Sequence, residues 1–410
     1  MTNFQENLQK YAELAVKVGV NVQPGQTLVV NSSLEGAELV RVIVKQAYEA
    51  GARTVKVNWS DDTVTRLRYE MAAEESFLDE PKWYAGEILE LIENGAAVLH
   101  VISSDPDLLK GISSDRLTNH QKTYGKAMSK YRQLQQSDKF SWSIVAVPSA
   151  AWAAKVFPEL PQEEQIDKLW EAIFRTVRVD QPDTLGAWKE HVSNLNKKSD
   201  YLNEKNFEKL HYKAPGTDLI IELPEGHLWV AADSTNERGN KFLANLPTEE
   251  VFTAPLRTGV HGTVSSTKPL SHSGNIIDEF TLTFKDGRIV DVKAKVGEET
   301  LKQIVSLDEG AHYLGEVALV PHGSPISQSN ILFYNTLFDE NASNHLAIGS
   351  AYAFTLKDGK GLSQEELLAR GLNTSITHVD FMVGSGEMDI FGVTKSGEEI
   401  QIFSQGNWAI

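Results

Sequence analysis

The 410-residue sequence predicts an α/β N-terminal domain with a largely parallel sheet, followed by an α+β C-terminal domain with mixed and antiparallel sheet. Three observations carry this. The chain is too long for one ordinary core, which makes two domains the expectation. Helix and strand patterns alternate through the first half. After His211 the texture changes to short strands joined by turn signals.

Phe4, Leu8, Tyr11, Ala12 and Ala15 recur at helical spacing, and Gln23-Pro24-Gly25-Gln26 then turns the chain into a strand over Thr27–Asn31. A second helix runs through Leu39, Val40, Ile43, Val44 and Ala47, stops at Gly51 and leads into a strand over Thr54–Trp59. The scheme repeats with a helix over Trp83–Glu93, a cap at Gly95 and a buried strand over Ala96–Ile102. Ser143–Val147 is a further strand, ended by Pro148. Strands separated by helices of this length imply right-handed crossovers and a parallel sheet. Gln162 to about Asn206 reads as helix and as the connection between domains. The expected domains are therefore residues 1–205 and 206–410. In the second, Asp218–Leu223 and His227–Ala231 read as strands, and Phe280–Val290 reads as a hairpin turning at Asp286-Gly287.

Composition excludes several classes. There is no cysteine, so disulfides, thiolate metal sites and cysteine nucleophiles are absent together. The net charge of −17 disfavours nucleic acid and anionic membrane as partners. No apolar run approaches the ~20 residues a membrane helix needs, and the first residues lack a basic-then-apolar leader, so the expected location is the cytoplasm. No His-Glu-x-x-His, P-loop or Gly-x-Gly-x-x-Gly occurs after the first strand, and Gly384-Ser385-Gly386 lacks the surroundings of a nucleophile elbow.

What remains is a set of carboxylates and imidazoles in the second half. Asp339-Glu340 precedes His345 by a few residues, and His378 and Asp380 sit at i and i+2 of a strand pattern over Ile376–Val383, on one face. Glu250 and Glu316 each interrupt apolar runs, and an ionised carboxylate there costs several kcal/mol unless a cation or donor compensates it. Each residue also has an ordinary reading that stays open: His345 as a buried core histidine, Glu340 near a helix start with Asn341 or Ser343 as the cap, Glu316 as an edge or ion-paired acid. A metal held by oxygen and nitrogen is the reading that unites them.

Glu250 before Val251-Phe252-Thr253-Ala254-Pro255, Gly315-Glu316, Asp339-Glu340-Asn341-Ala342-Ser343-x-His345 and Thr377-His378-Val379-Asp380-Phe381-Met382 together resemble the aminopeptidase T/aminopeptidase S family of metallopeptidases, M29. Val18–Gln26 also resembles that family's opening, so the likeness spans the chain. The resemblance implies a two-metal aminopeptidase that releases N-terminal residues from short peptides through an activated hydroxide. Carried over by position, Glu250, Glu316, Glu340, His345, His378 and Asp380 match the metal ligands, with Glu316 a natural bridge and Tyr352 a hydrogen-bond donor to the oxyanion. Lys268 occupies a place where a basic residue is expected. The resemblance further implies two divalent ions per chain, zinc, cobalt, manganese or magnesium, and a homodimer. Two other functions compete: a dinuclear amidohydrolase or carboxypeptidase, and a non-catalytic metal-binding protein.

Overall fold

The computed structural model describes residues 3–103, 105–272 and 274–410. Two compact units result: the chain through Lys189 with Asp233–Pro247, and Glu190–Ala232 with Thr248–Ile410. This differs from the expected single boundary after residue 205. The boundary falls inside the helix Thr184–Lys205, and a later segment returns to the first unit, where Ile144 exchanges backbone hydrogen bonds with Ala244 and Leu246 (Ile144 N to Ala244 O 2.9 Å, Leu246 N to Ile144 O 3.0 Å). That segment has no period of its own in sequence, so only pairing reveals where it belongs.

The first unit holds a four-stranded parallel sheet of Thr27–Ser33, Thr54–Ser60, Ala97–Ile102 and Trp142–Ala146, in spatial order second, first, third, fourth. Its central strands are near-continuous apolar runs, as strands covered on both faces must be. The helix Ala37–Glu49 buries Leu39, Val40, Ile43 and Ala47, the stripe its spacing predicts. Tyr11 fastens the helix Phe4–Leu14 to the fourth strand, its hydroxyl donating to Ala146 O at 3.1 Å and accepting from Ala146 N at 3.0 Å.

His100 in the third strand places Nε2 3.2 Å from the Tyr131 hydroxyl, and burial pushes its imidazole down to about 4. Unfolded, the ring protonates near ~6.5. Between these values the unfolded chain binds a proton that the folded chain refuses, so stability falls as pH drops from ~6.5 towards ~4 and is unaffected above that window. The ring keeps some exposed surface, which sets the loss at ~2 kcal/mol. His100→Gln is expected to flatten this slope. Urea midpoints of variant and wild type at neutral pH and at about pH 5 check it, and an identical pH dependence would refute it.

The second unit is two packed sheets. The larger is antiparallel along its length and includes Lys209–Ala214, Thr217–Glu222, Val260–Ser265, Asn275–Lys285 and Asp389–Val393. The predicted hairpin forms between Asn275–Lys285 and Arg288–Val296, with φ positive at both Asp286 and Gly287, as a two-residue turn of the I′ kind requires. His227–Ala231 is not a strand; it makes only isolated bridges from His227 to Leu356 and from Val230 to Phe252. The smaller sheet orders His378–Met382, His345–Gly349, Leu314–Leu319 and Val251–Thr253, all antiparallel. One apolar core joins the sheets, with Leu210, Tyr212 and Ile221 from the larger and Val317, Leu346 and Phe381 from the smaller. Among the described residues no helix is long and apolar enough to cross a membrane.

Candidate metal centre

The small sheet presents two faces of opposite chemistry. Its register sets Ala318 beside His345, Glu316 beside Ala347, Ala347 beside Asp380, and Gly349 beside His378. Paired residues share a face, as do residues i and i+2. One face therefore carries Glu316, His345, His378 and Asp380, separated by small Ala318, Ala347 and Gly349. Phe252 pairs with Ala318 on that face, and Glu250 stands two residues before it. The opposite face, with Val317, Leu346, Ile348 and Phe381, closes the core.

Two glycines let these strands approach. A Cβ on Gly315 would meet the Gly349 and Ser350 carbonyl oxygens at 2.4 Å, and Gly349, at φ +110°, would place a Cβ 2.2 Å from Thr377 O. Neither position accepts a side chain. The first precedes Glu316 and the second pairs with His378.

The result is two triads, Glu250 with Glu316 and His345, and Glu316 with His378 and Asp380, whose ligand atoms lie within 4.8 Å of one another. His345 Nε2 is 3.2 Å from Glu250 Oε2 and 3.4 Å from Glu316 Oε1. His378 Nε2 is 3.5 Å from Glu316 Oε2 and 3.2 Å from Asp380 Oδ1. Glu316 thus divides its two oxygens between the triads.

Both rings spend Nδ1 on the backbone, His345 donating to Ser343 O at 3.2 Å and His378 to Ser350 O at 2.7 Å. A carbonyl only accepts, so Nδ1 carries the hydrogen and a neutral ring turns an Nε2 lone pair towards carboxylate lone pairs. That arrangement needs a cation or a proton between the groups. Without an ion a proton is favoured there: burial opposes charge on both rings, but Glu250 and Glu316 hold His345 well above its ordinary value, and Asp380 and Glu316 push His378 up to about 10. Asp380 Oδ1 is buried and faces His378 Nε2. A divalent ion in each triad would satisfy these atoms, and the oxygen and nitrogen donors fit zinc, cobalt, manganese or magnesium.

Glu340 opens a 3₁₀ turn, Glu340–Ala342, after the short helix Thr336–Asp339. Its carboxylate belongs to neither triad, yet burial, Glu250 and Asp380 drive it well above the usual carboxylate range. No helix follows for Asn341 or Ser343 to cap, because the chain runs on into the strand His345–Gly349; the helix before Glu340 is capped by Asn335, whose Oδ1 accepts from Leu337 N at 3.1 Å. Tyr352 precedes the 3₁₀ turn Ala353–Thr355 rather than lying in a strand. Its ring centroid is 5.1 Å from that of His378, and burial together with the surrounding carboxylates keeps its hydroxyl protonated. Lys268 answers to Asp339 rather than to the triads, and burial lowers its ammonium. Asp339 accepts from Phe333 N at 2.7 Å and Asn335 N at 2.9 Å, while burial raises it to about 7. A cleft of about 40 Å³ opens beside Glu340 and Asp380, lined also by Leu270, Tyr334 and Met382.

The family model for thermophilic metalloproteases (M29) matches residues 4–408. The chain belongs to the M29 family. Its relatives include aminopeptidase AmpS of Bacillus subtilis (strain 168), 59% identical, and aminopeptidase T of Thermus thermophilus, 40% identical, each aligned over 100% of both chains. Among solved structures, wild-type AmpT from Thermus thermophilus matches with a TM-score of 0.93 at 39% identity, covering 99% of this chain and 100% of that one. The M29 fold thus accounts for both the parallel N-terminal sheet and the antiparallel sheets that follow it.

Two features of this centre escaped the sequence reading, the packing of Phe354 against Tyr352 and the place of Asn341. Phe252, Tyr352 and Phe354 form an aromatic cluster beside the centre, with Tyr352 and Phe354 stacked at 5.2 Å and Phe252 6.2 Å from Tyr352. The only signal was the aromatic at i+2 from Glu250. Asn341 was visible merely as a capping residue type, although its amide is wholly buried in the centre's wall.

Proposed function

We propose that this M29 chain releases N-terminal residues from short peptides with two divalent ions, Glu250 and His345 on one, His378 and Asp380 on the other, Glu316 between them and Glu340 completing the shell. Family membership makes the chain a metal-dependent aminopeptidase, a hydrolase of peptide bonds; the ion pair and the residue roles are the proposal. The observation that carries it is the division of Glu316's oxygens between two histidines. When bound, such ions supply a water acidic enough to attack near neutral pH and positive charge at the scissile carbonyl.

The chain's own residues do the rest. The Ser343 and Ser350 carbonyls hold both imidazoles with Nε2 inward. Tyr352 keeps its proton at neutral pH and donates it as a hydrogen bond to the developing oxyanion. Tyr352→Phe is expected to lower kcat about 10²-fold with ion content and KM little changed; steady-state kinetics with elemental analysis checks this, and unaltered kcat removes the role. The acidic surroundings favour a substrate's free α-ammonium. Acylating that amine leaves a buried acid or ion unpaired, which typically costs several kcal/mol.

Comparing kcat/KM for a free tripeptide, its N-acetyl form and a folded protein tests the reading. Comparable values across the three defeat it, and cleavage from the carboxyl end would favour the carboxypeptidase or amidohydrolase alternative. Family membership removes the non-catalytic one. A homodimer and a cytoplasmic location belong to the same proposal, on the family likeness. Light scattering at micromolar concentration that shows only single chains would count against the dimer.

A further inference from the structure

We infer that Asn341 is a positioning residue that joins the segment carrying Glu250 to the turn carrying Glu340, and so sets the geometry of one ion site. This rests on the two-ion reading above. Glu250 lies just outside the strand Val251–Thr253, at the end of an irregular stretch, so its own ladder does not fix it. The Asn341 amide ties it to the Glu340 turn, while His191, with Nε2 2.8 Å from Thr248 O, holds the residues just before it. Asn341 Oδ1 accepts from Glu249 N at 2.7 Å across 92 residues of sequence. Its Nδ2 faces Leu337 O at 3.3 Å and Glu340 Oε1 at 3.4 Å. The side chain is fully buried, and one amide therefore touches both segments at once.

A planar amide with acceptor and donor on opposite arms is the group that can do this. Alanine makes neither bond, and aspartate keeps only the acceptor. Glu249 N–H would be left without its acceptor in a buried place, and the Glu250 segment would relax to find another. The His378 and Asp380 side is anchored independently, through Ser350 and the strand His378–Met382. Loss of Asn341 should therefore act on one ion and spare the other, which a general packing defect would not do. Residues that orient ligands without touching the metal typically change affinity by about 10–100-fold.

The test is manganese titration of the full chain, read by paramagnetic resonance of free Mn²⁺, with thermal unfolding of the metal-free protein measured alongside. Asn341→Ala is expected to weaken one stepwise constant about 10–100-fold and to leave the other within about threefold. Asn341→Asp, which keeps the Glu249 contact, is expected to fall between wild type and Asn341→Ala for that same constant. Wild-type constants in both variants overturn the inference, as does an equal weakening of both constants. If Asn341→Ala does not fold, Asn341→Asp alone decides, and an unchanged constant there overturns it. A wild-type chain that takes up one ion sinks the two-ion reading instead, and Asn341 is then judged on that single constant, unchanged affinity in the variants counting against it.

Discussion

Glu316→Ala is expected to lower kcat roughly 10⁴-fold while the chain keeps its fold. Glu316 is the acid shared by both triads, its oxygens 3.4 Å from His345 and 3.5 Å from His378. Removing it takes a donor from both proposed ions at once, and groups that act as a unit fail together. The fold should survive because Glu316 lies on the sheet face opposite the core. The neighbouring Val317 and Leu319 on the other face carry the packing, and the strand's ladder to His345–Gly349 and Val251–Thr253 is backbone. Burial disfavours its charge in the metal-free chain, against the pull of His345 and His378. His378→Ala should behave similarly through the second triad. Kinetics on a free tripeptide, elemental analysis and circular dichroism together check this; a variant with near wild-type kcat and its ions in place would remove that residue from the site.

Chelation is expected to abolish activity, and a divalent ion to restore it. The centre gathers four carboxylates and two imidazoles, a set that a divalent ion would balance. No motif elsewhere offers another nucleophile, and the absence of cysteine removes thiol chemistry as a fallback. Restoration should be complete for the same reason, since there is no thiol to oxidise while the site is empty. Because ions bind the folded chain and not the unfolded one, refilling should also raise the thermal midpoint with ion concentration. Full turnover in protein shown by elemental analysis to be metal-free would contradict the assignment of the chemistry to this face.

Much of the architecture is legible from local pattern. The stripe Leu39, Val40, Ile43, Ala47 is a helix face because 3.6-residue spacing puts those side chains together. Asp286-Gly287 turns a hairpin because both backbones adopt positive φ. His378 and Asp380 share a face because strand side chains alternate, and the strand is His378–Met382 as that alternation implies. The apolar run Leu314–Leu319 broken by one acid likewise announced a buried carboxylate.

Sequence could also bring the six candidate residues to notice, by the unusual residue types and by family likeness. It could not say which of them meet. That was decided by register, Ala318 against His345, Ala347 against Asp380 and Val251 against Leu319, the last pair 68 residues apart along the chain. A one-residue slip would have sent an entire set of side chains into the core. The same long-range pairing split Glu316's oxygens between two histidines, left Glu340 outside both triads, set Asn341 between two distant segments and carried Asp233–Pro247 back to the first unit. Periodicity is a property of neighbours in sequence, so it determines what each element is and which face it buries. The meeting of acids and imidazoles costs desolvation that only a particular packing of two sheets repays, and that packing exists only in the folded chain.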